Sequence, residues 1–202
     1  MISLIKNYFN KKRLVDKEFE FLFEPIDDEF VSIDTETTGL NPKKDEIITI
    51  GAVKIKDNKI LTSQKFECIV KPTKPIGTDS IKIHHIRHCD LENGIDIKDA
   101  IYQLLHFIGG RTLIGYYLEF DVELINKYTK EFLNITLPNK QIELSALYFD
   151  KKITTIPQAN IDLRFDSIMK DLDLPMLGKH DALNDAIMTS LAFIKLQNIK
   201  KI

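Results

Sequence analysis

Tryptophan is absent, and cysteine occurs twice in 202 residues. Cys68 and Cys89 are too few for a disulfide framework or a cysteine-based zinc site. Cys68, in the strand-like run Phe66–Val70, reads as a small buried filler, and the pair suits a reducing, cytoplasmic setting. An excess of either charge is also missing: 28 basic against 30 acidic side chains give a net charge of -2 and a pI near 6.2. That balance removes a global basic signature of nucleic-acid binding, so any such contact needs a local patch or metal ions. No apolar run reaches the length of a membrane span, and Met1–Phe9 lacks the charged and apolar regions of a signal peptide. Repeats and low-complexity linkers are missing too, which favours a single domain. What remains, 44% hydrophobic and 29% charged, is ordinary for a soluble globular protein.

Residues 1–28 read as a helical arm, with apolar Ile2, Ile5 and Phe9 and a basic knot at Lys11-Lys12-Arg13. The arm is expected to dock on the main domain, residues 29–202, with the basic knot as a solvated face. Strand signals follow: Phe30–Asp34, Ile47–Ile55 and Ile60–Val70, an antiparallel meander closed by Pro72 and Pro75. Helical stripes at Asp96–Ile108, Asp121–Phe132, Leu163–Leu172 and Asp181–Leu196 then alternate with a short buried strand at Thr112–Gly115. A meander followed by alternation implies a mixed sheet between helices, a three-layer α/β domain.

The chemistry concentrates in Asp34-Thr35-Glu36-Thr37-Thr38-Gly39-Leu40. Alternate strand residues share a face, so Asp34 and Glu36 project together from the end of an apolar strand. Two neighbouring carboxylates repel and lose hydration there, which makes little sense as packing. A hard divalent cation such as Mg²⁺ resolves the conflict, because it takes carboxylate and phosphate oxygens. Asp121, in Phe120-Asp121, stands where a helix N-cap or first-turn carboxylate would. His180 fits a loop before the last helix, with Asp181 as N-cap and Asp185 in its early turns.

Asp34–Leu40, Phe120-Asp121 and His180-Asp181-Ala182-Leu183-Asn184-Asp185-Ala186 together resemble the three motifs of the DEDDh 3′–5′ exonuclease superfamily, the RNase T-like and polymerase-proofreading group. The likeness spans roughly residues 29 to 198, with motif order and spacing in agreement. It implies an RNase H-like fold with a mixed five-stranded sheet. Two Mg²⁺ or Mn²⁺ ions would bind Asp34, Glu36, Asp121 and Asp185, with His180 as general base. The implied activity is removal of nucleoside 5′-monophosphates from the 3′ end of single-stranded DNA or short RNA. By the same analogy Thr37, Thr38, Gly39, Leu40, Ile83, His84 and Phe120 would hold the terminal nucleotide.

Three departures from the family pattern stand out. His85 replaces a glycine; with His84 and His88 it could suggest zinc, but no further ligand presents itself, so lining or flanking the cleft is the preferred reading. Tyr116-Tyr117 stands where a His-Asn pair is common; it could stack on a base, but packing is expected because aromatics beside a buried strand are usually core. Ile142-Glu143-Leu144-Ser145 replaces an Asp-Thr-Leu element. A proofreading subunit acting with a DNA polymerase is the first alternative; it would want a polymerase-binding segment, and few residues follow the last helix. A catalytically dead nucleic-acid-binding domain is the second, disfavoured by the complete carboxylate set.

Overall fold

The structure, a computed structural model, describes residues 2–153, 161–178 and 180–199, with side chains from residue 7 onward except that of Asp79. Strands β1 (Ile26–Thr37), β2 (Ile47–Lys56), β3 (Lys59–Ile69), β4 (Arg111–Gly115) and β5 (Gln141–Glu143) form one five-stranded sheet in the order β3-β2-β1-β4-β5. The first three pair antiparallel, and β4 and β5 join parallel to β1. This is the mixed sheet that the alternation implied.

Helices α1 (Ile2–Arg13), α2 (Thr78–His84), α3 (Ile97–Ile108), α4 (Leu118–Leu133), α5 (Leu144–Ile153), α6 (Phe165–Asp171) and α7 (Ala182–Asn198) surround the sheet. Residue alternation in β1 separates two cores. Val31 and Ile33 pack with Leu104, Leu105, Val122 and Ile125 of α3 and α4. Phe30 faces the other way, its ring 5.0 Å from that of Phe193 in α7, in the core holding Leu144, Ile168 and Met188. Asp34 and Glu36 therefore continue the face that looks toward α7, and Thr35 the face that looks toward α4.

Several boundaries differ from expectation. The first strand begins at Ile26 and runs through Glu36 to Thr37, so the acidic motif lies inside the strand. Helix α4 begins at Leu118, before Asp121, and α6 is shorter than Leu163–Leu172. Helix α5 was not anticipated, because it buries only Leu144 and Tyr148, leaving a weak apolar stripe. Ahead of the sheet, Leu14, Phe19 and Leu22 are buried in the α3–α4 core. The Asn10 side chain donates to the Thr136 carbonyl at 2.6 Å and accepts from its amide at 3.1 Å. The side chains of Ile2 and Ile5 lie outside the described ones. No helix among the described residues is long and apolar enough to cross a membrane.

Candidate active site

Three backbone elements meet at the C-terminal end of β1. Because β4 runs parallel to β1, with Ser32 opposite Ile114, the chain leaving β4 enters α4 beside Asp34. That places Asp121 in the first turn of α4. It does not cap the helix; Tyr117 occupies the cap position in the left-handed conformation, φ 56°. The α4 amides are satisfied from β5 instead: the Glu143 carboxylate accepts from Tyr117 N–H at 3.2 Å and Leu118 N–H at 2.9 Å. Ser145 anchors the same carboxylate through its amide and hydroxyl. Asp121 is buried, 4% exposed, and accepts a 2.6 Å hydrogen bond from the Thr35 hydroxyl.

On the opposite face, Asp181 caps α7 by accepting from Asn184 N–H at 2.9 Å, and Asp185 lies in the first turn. The helix dipole favours its charge there. His180 sits in the preceding loop with φ 58°, and its amide donates to Asp185 Oδ2 at 3.2 Å. Potential ligand atoms of Glu36, His180 and Asp185 all lie within 4.8 Å of one another.

The clustered carboxylates oppose one another's ionisation. Burial, then the charges of Asp121, Asp185 and Glu36, push the Asp34 carboxyl well above the usual carboxylate range. Burial also raises Glu36 to about 8, and Asp185, Asp121 and Asp181 all push the same way. Asp121 rises to about 7, again chiefly through burial, against the opposing hydrogen bonds from Thr35. Oxygen donors that destabilise one another in this manner suit a hard dication, which would reverse each of these shifts.

These groups open onto a cleft of about 920 Å³, lined by Asp34, Glu36, Asp121, His180 and Asp185 and walled by Leu40, Phe120, Tyr116, Tyr117 and Phe165. Thr37, Thr38, Gly39, Ile83 and His84 are not among the lining residues. The Thr37 hydroxyl donates to the Gly39 carbonyl at 2.6 Å, and the Thr38 hydroxyl accepts from Glu46 N–H at 2.9 Å. Ser80 joins α2 to this loop by donating to the Thr38 carbonyl at 2.8 Å.

Two of the three histidines are tied to backbone: His84 Nδ1 accepts from Ile86 N–H at 3.0 Å, and His88 Nε2 from Ile76 N–H at 3.1 Å. No metal-competent group of three containing them occurs among the described residues. Tyr116 does pack, its hydroxyl donating to the Leu163 carbonyl at 3.1 Å. Tyr117 does not: it is 68% exposed at the cleft wall. The left-handed cap turns its ring outward, which corrects the expectation of packing.

Residues 31–193 match the RNase_T exonuclease family. The chain belongs to the exonuclease family. Relatives include the PolC-type DNA polymerase III of Caldanaerobacter subterraneus subsp. tengcongensis, 34% identical over 85% of this chain and 12% of that protein. The PolC-type enzyme of Thermotoga petrophila is 31% identical with the same coverage. The chain thus spans about an eighth of the length of these PolC-type relatives. It covers 81% of the DNA polymerase III subunit epsilon of Aquifex aeolicus, at 30% identity over 85% of this chain. Among solved structures, exonuclease X in complex with 5′ overhanging duplex DNA superposes with a TM-score of 0.66 and 24% identity, covering 84% of this chain and 91% of that one. Exonuclease I superposes with a TM-score of 0.71 and 16% identity, covering 85% and 41%. The exonuclease fold is therefore shared.

Within this exonuclease-family domain, sequence reasoning missed Gly51. It pairs with Asp34 across β1 and β2, and a Cβ there would lie 2.2 Å from the Ala182 carbonyl carbon and Leu183 nitrogen. The start of α7 rests directly on this glycine, which fixes the height of Asp185 above Asp34. The available signal was an isolated glycine inside a strand pattern, which marks close backbone approach. Gly51→Ala should overpack this contact by about 1–3 kcal/mol, lowering the melting temperature by about 2–12 °C. An unchanged calorimetric transition would mean that α7 is not seated there.

Proposed function

We propose that this chain is a metal-dependent 3′–5′ exonuclease that hydrolyses the terminal phosphodiester of single-stranded DNA or short RNA and releases nucleoside 5′-monophosphates. The observation that carries this reading is the convergence of Asp34, Glu36, Asp121 and Asp185 with His180 on one open cleft. All four carboxylates are oxygen donors, and they would hold two divalent cations, Mg²⁺ or Mn²⁺. When bound, such ions supply Lewis-acid charge at the phosphate and ease deprotonation of the attacking water.

The protein groups then have separate tasks. Asp34 and Glu36, fixed on a central strand, set the position of the cluster against the sheet. Asp121 is aimed by the Thr35 hydroxyl and by the Glu143-capped start of α4. Asp185 is held by the first turn of α7 and the His180 amide. His180, at the exposed edge of the cleft, takes the water's proton, a task imidazole nitrogens commonly perform. DNA is the favoured substrate, since the relatives are named as DNA polymerase III proteins. Those names also support a second reading, a proofreading subunit working with a polymerase.

Digestion of matched single- and double-stranded DNA and RNA oligonucleotides, labelled at the 5′ end, tests the assignment with Mg²⁺, Mn²⁺ and EDTA. A ladder shortening from the 3′ end in metal and absent in EDTA supports it. No digestion of any substrate would favour the inactive binding domain. Metal should also stabilise the fold: at about a hundredfold over Kd, a bound ion adds about 2.7 kcal/mol, or about 5–10 °C in melting temperature. The shift should grow from pH 6 to pH 8.5, because the ligands must be deprotonated. An equal shift at both pH values would argue against carboxylate ligation.

A further inference from the structure

We infer that Tyr117 is a stacking platform for one nucleobase of the bound strand, so that it sets substrate affinity without taking part in bond cleavage. The inference rests on the exonuclease reading of the same cleft. Tyr117 is 68% exposed, and Leu40, which also lines the cleft, is 84% exposed. A single exposed apolar side chain carries no information, but an exposed aromatic set into the wall of a concave site beside a phosphate-handling cluster does.

The ring is also braced. Tyr116 meets it edge-on at 4.6 Å and 64°. Tyr116 is itself fixed by Phe165, whose ring lies 4.9 Å away, and by its hydroxyl bond to the Leu163 carbonyl. Below, the backbone of Tyr117 is held at φ 56°, a conformation that disfavours non-glycine residues. The Glu143 carboxylate secures it by accepting from the Tyr117 and Leu118 amides. A packing role would be served by the reverse arrangement, with the ring inside. Here a strained backbone and a pre-ordered aromatic partner present the ring to the cleft, which lowers the ordering cost when a base stacks on it.

Base–aromatic stacking needs no hydrogen-bond readout, so the site accepts every base. Tyr117→Ala should raise KM for a single-stranded oligonucleotide about tenfold with kcat within about twofold, and Tyr117→Phe should restore wild-type KM. Oligonucleotides carrying one abasic residue at the terminal, penultimate or third position identify the base concerned. The tenfold gap between wild type and Tyr117→Ala should close on one of these substrates alone. A KM unchanged by Tyr117→Ala, a gap that persists on all three, or a fall in kcat without a rise in KM would each overturn the platform. Failure of the exonuclease reading looks different: wild type would then digest none of the oligonucleotides.

Discussion

Asp34→Asn is expected to lower 3′-end digestion about a thousandfold or more, since metal-ion charge stabilisation is worth several kcal/mol, while making the metal-free protein harder to melt. Both effects come from one cause. Asp34 stands among Asp121, Asp185 and Glu36, and burial with those charges raises its carboxyl well above the usual range. A carboxyl whose folded-state pKa is raised holds a proton that the unfolded chain releases. Its contribution is therefore fully present below about pH 4, the unfolded value, and is lost as pH rises through the folded value. With Glu36 at about 8 and Asp121 at about 7, the metal-free protein should lose stability steadily from about pH 4 to about pH 8.

Asn at position 34 keeps the shape and removes one charge from the cluster. In EDTA at pH 8 the variant should melt several degrees above wild type, and the gap should shrink at pH 5. In saturating Mg²⁺ the order should reverse, because wild type alone keeps the full ligand set. Calorimetry at two pH values with and without metal reads all four states. Retained digestion, or a variant that melts lower in EDTA at pH 8, would mean that Asp34 is not part of an anionic cation site.

The meander was legible because the apolar runs Phe30–Asp34, Ile47–Ile55 and Ile60–Val70 are separated by the turn-forming stretches Asn41–Asp45 and Asp57–Lys59. The acidic motif was legible because two carboxylates at a period of two on an apolar strand have no packing rationale. Glu143 was not, since a carboxylate that caps a helix from a neighbouring strand leaves no local pattern; the parallel pairing of β4 with β5 sets Glu143 opposite Gly115, just ahead of α4. Tyr117 was misjudged for a related reason. Its neighbours in sequence, Gly115 and Leu118, are buried, but the left-handed cap reverses its direction, and backbone handedness at a non-glycine residue is invisible to hydrophobic patterning. Gly51 was visible as an isolated glycine, but what it makes room for comes from residues 182 and 183, far along the chain.

His180→Asn should lower kcat by about 10²–10⁴-fold if the imidazole is the general base, with KM and metal affinity nearly unchanged. Asparagine is the informative replacement. Residue 180 lies at φ 58°, where asparagine is better tolerated than alanine, and its amide would still donate to Asp185. The backbone half of the site thus stays in place while the proton acceptor is removed. The competing role is written in the same geometry, because Glu36, His180 and Asp185 can present ligand atoms within 4.8 Å of one another. As a cation ligand, His180 would matter most at limiting metal, and the variant's rate would recover as Mg²⁺ or Mn²⁺ is raised. As a base, it would leave a deficit that saturating metal does not repair. His180 is exposed at the cleft, whereas Asp121 is buried; a residue at the solvent edge is the one placed to pass a proton outward. Recovery at high metal would assign it to binding, and a persistent deficit to proton transfer.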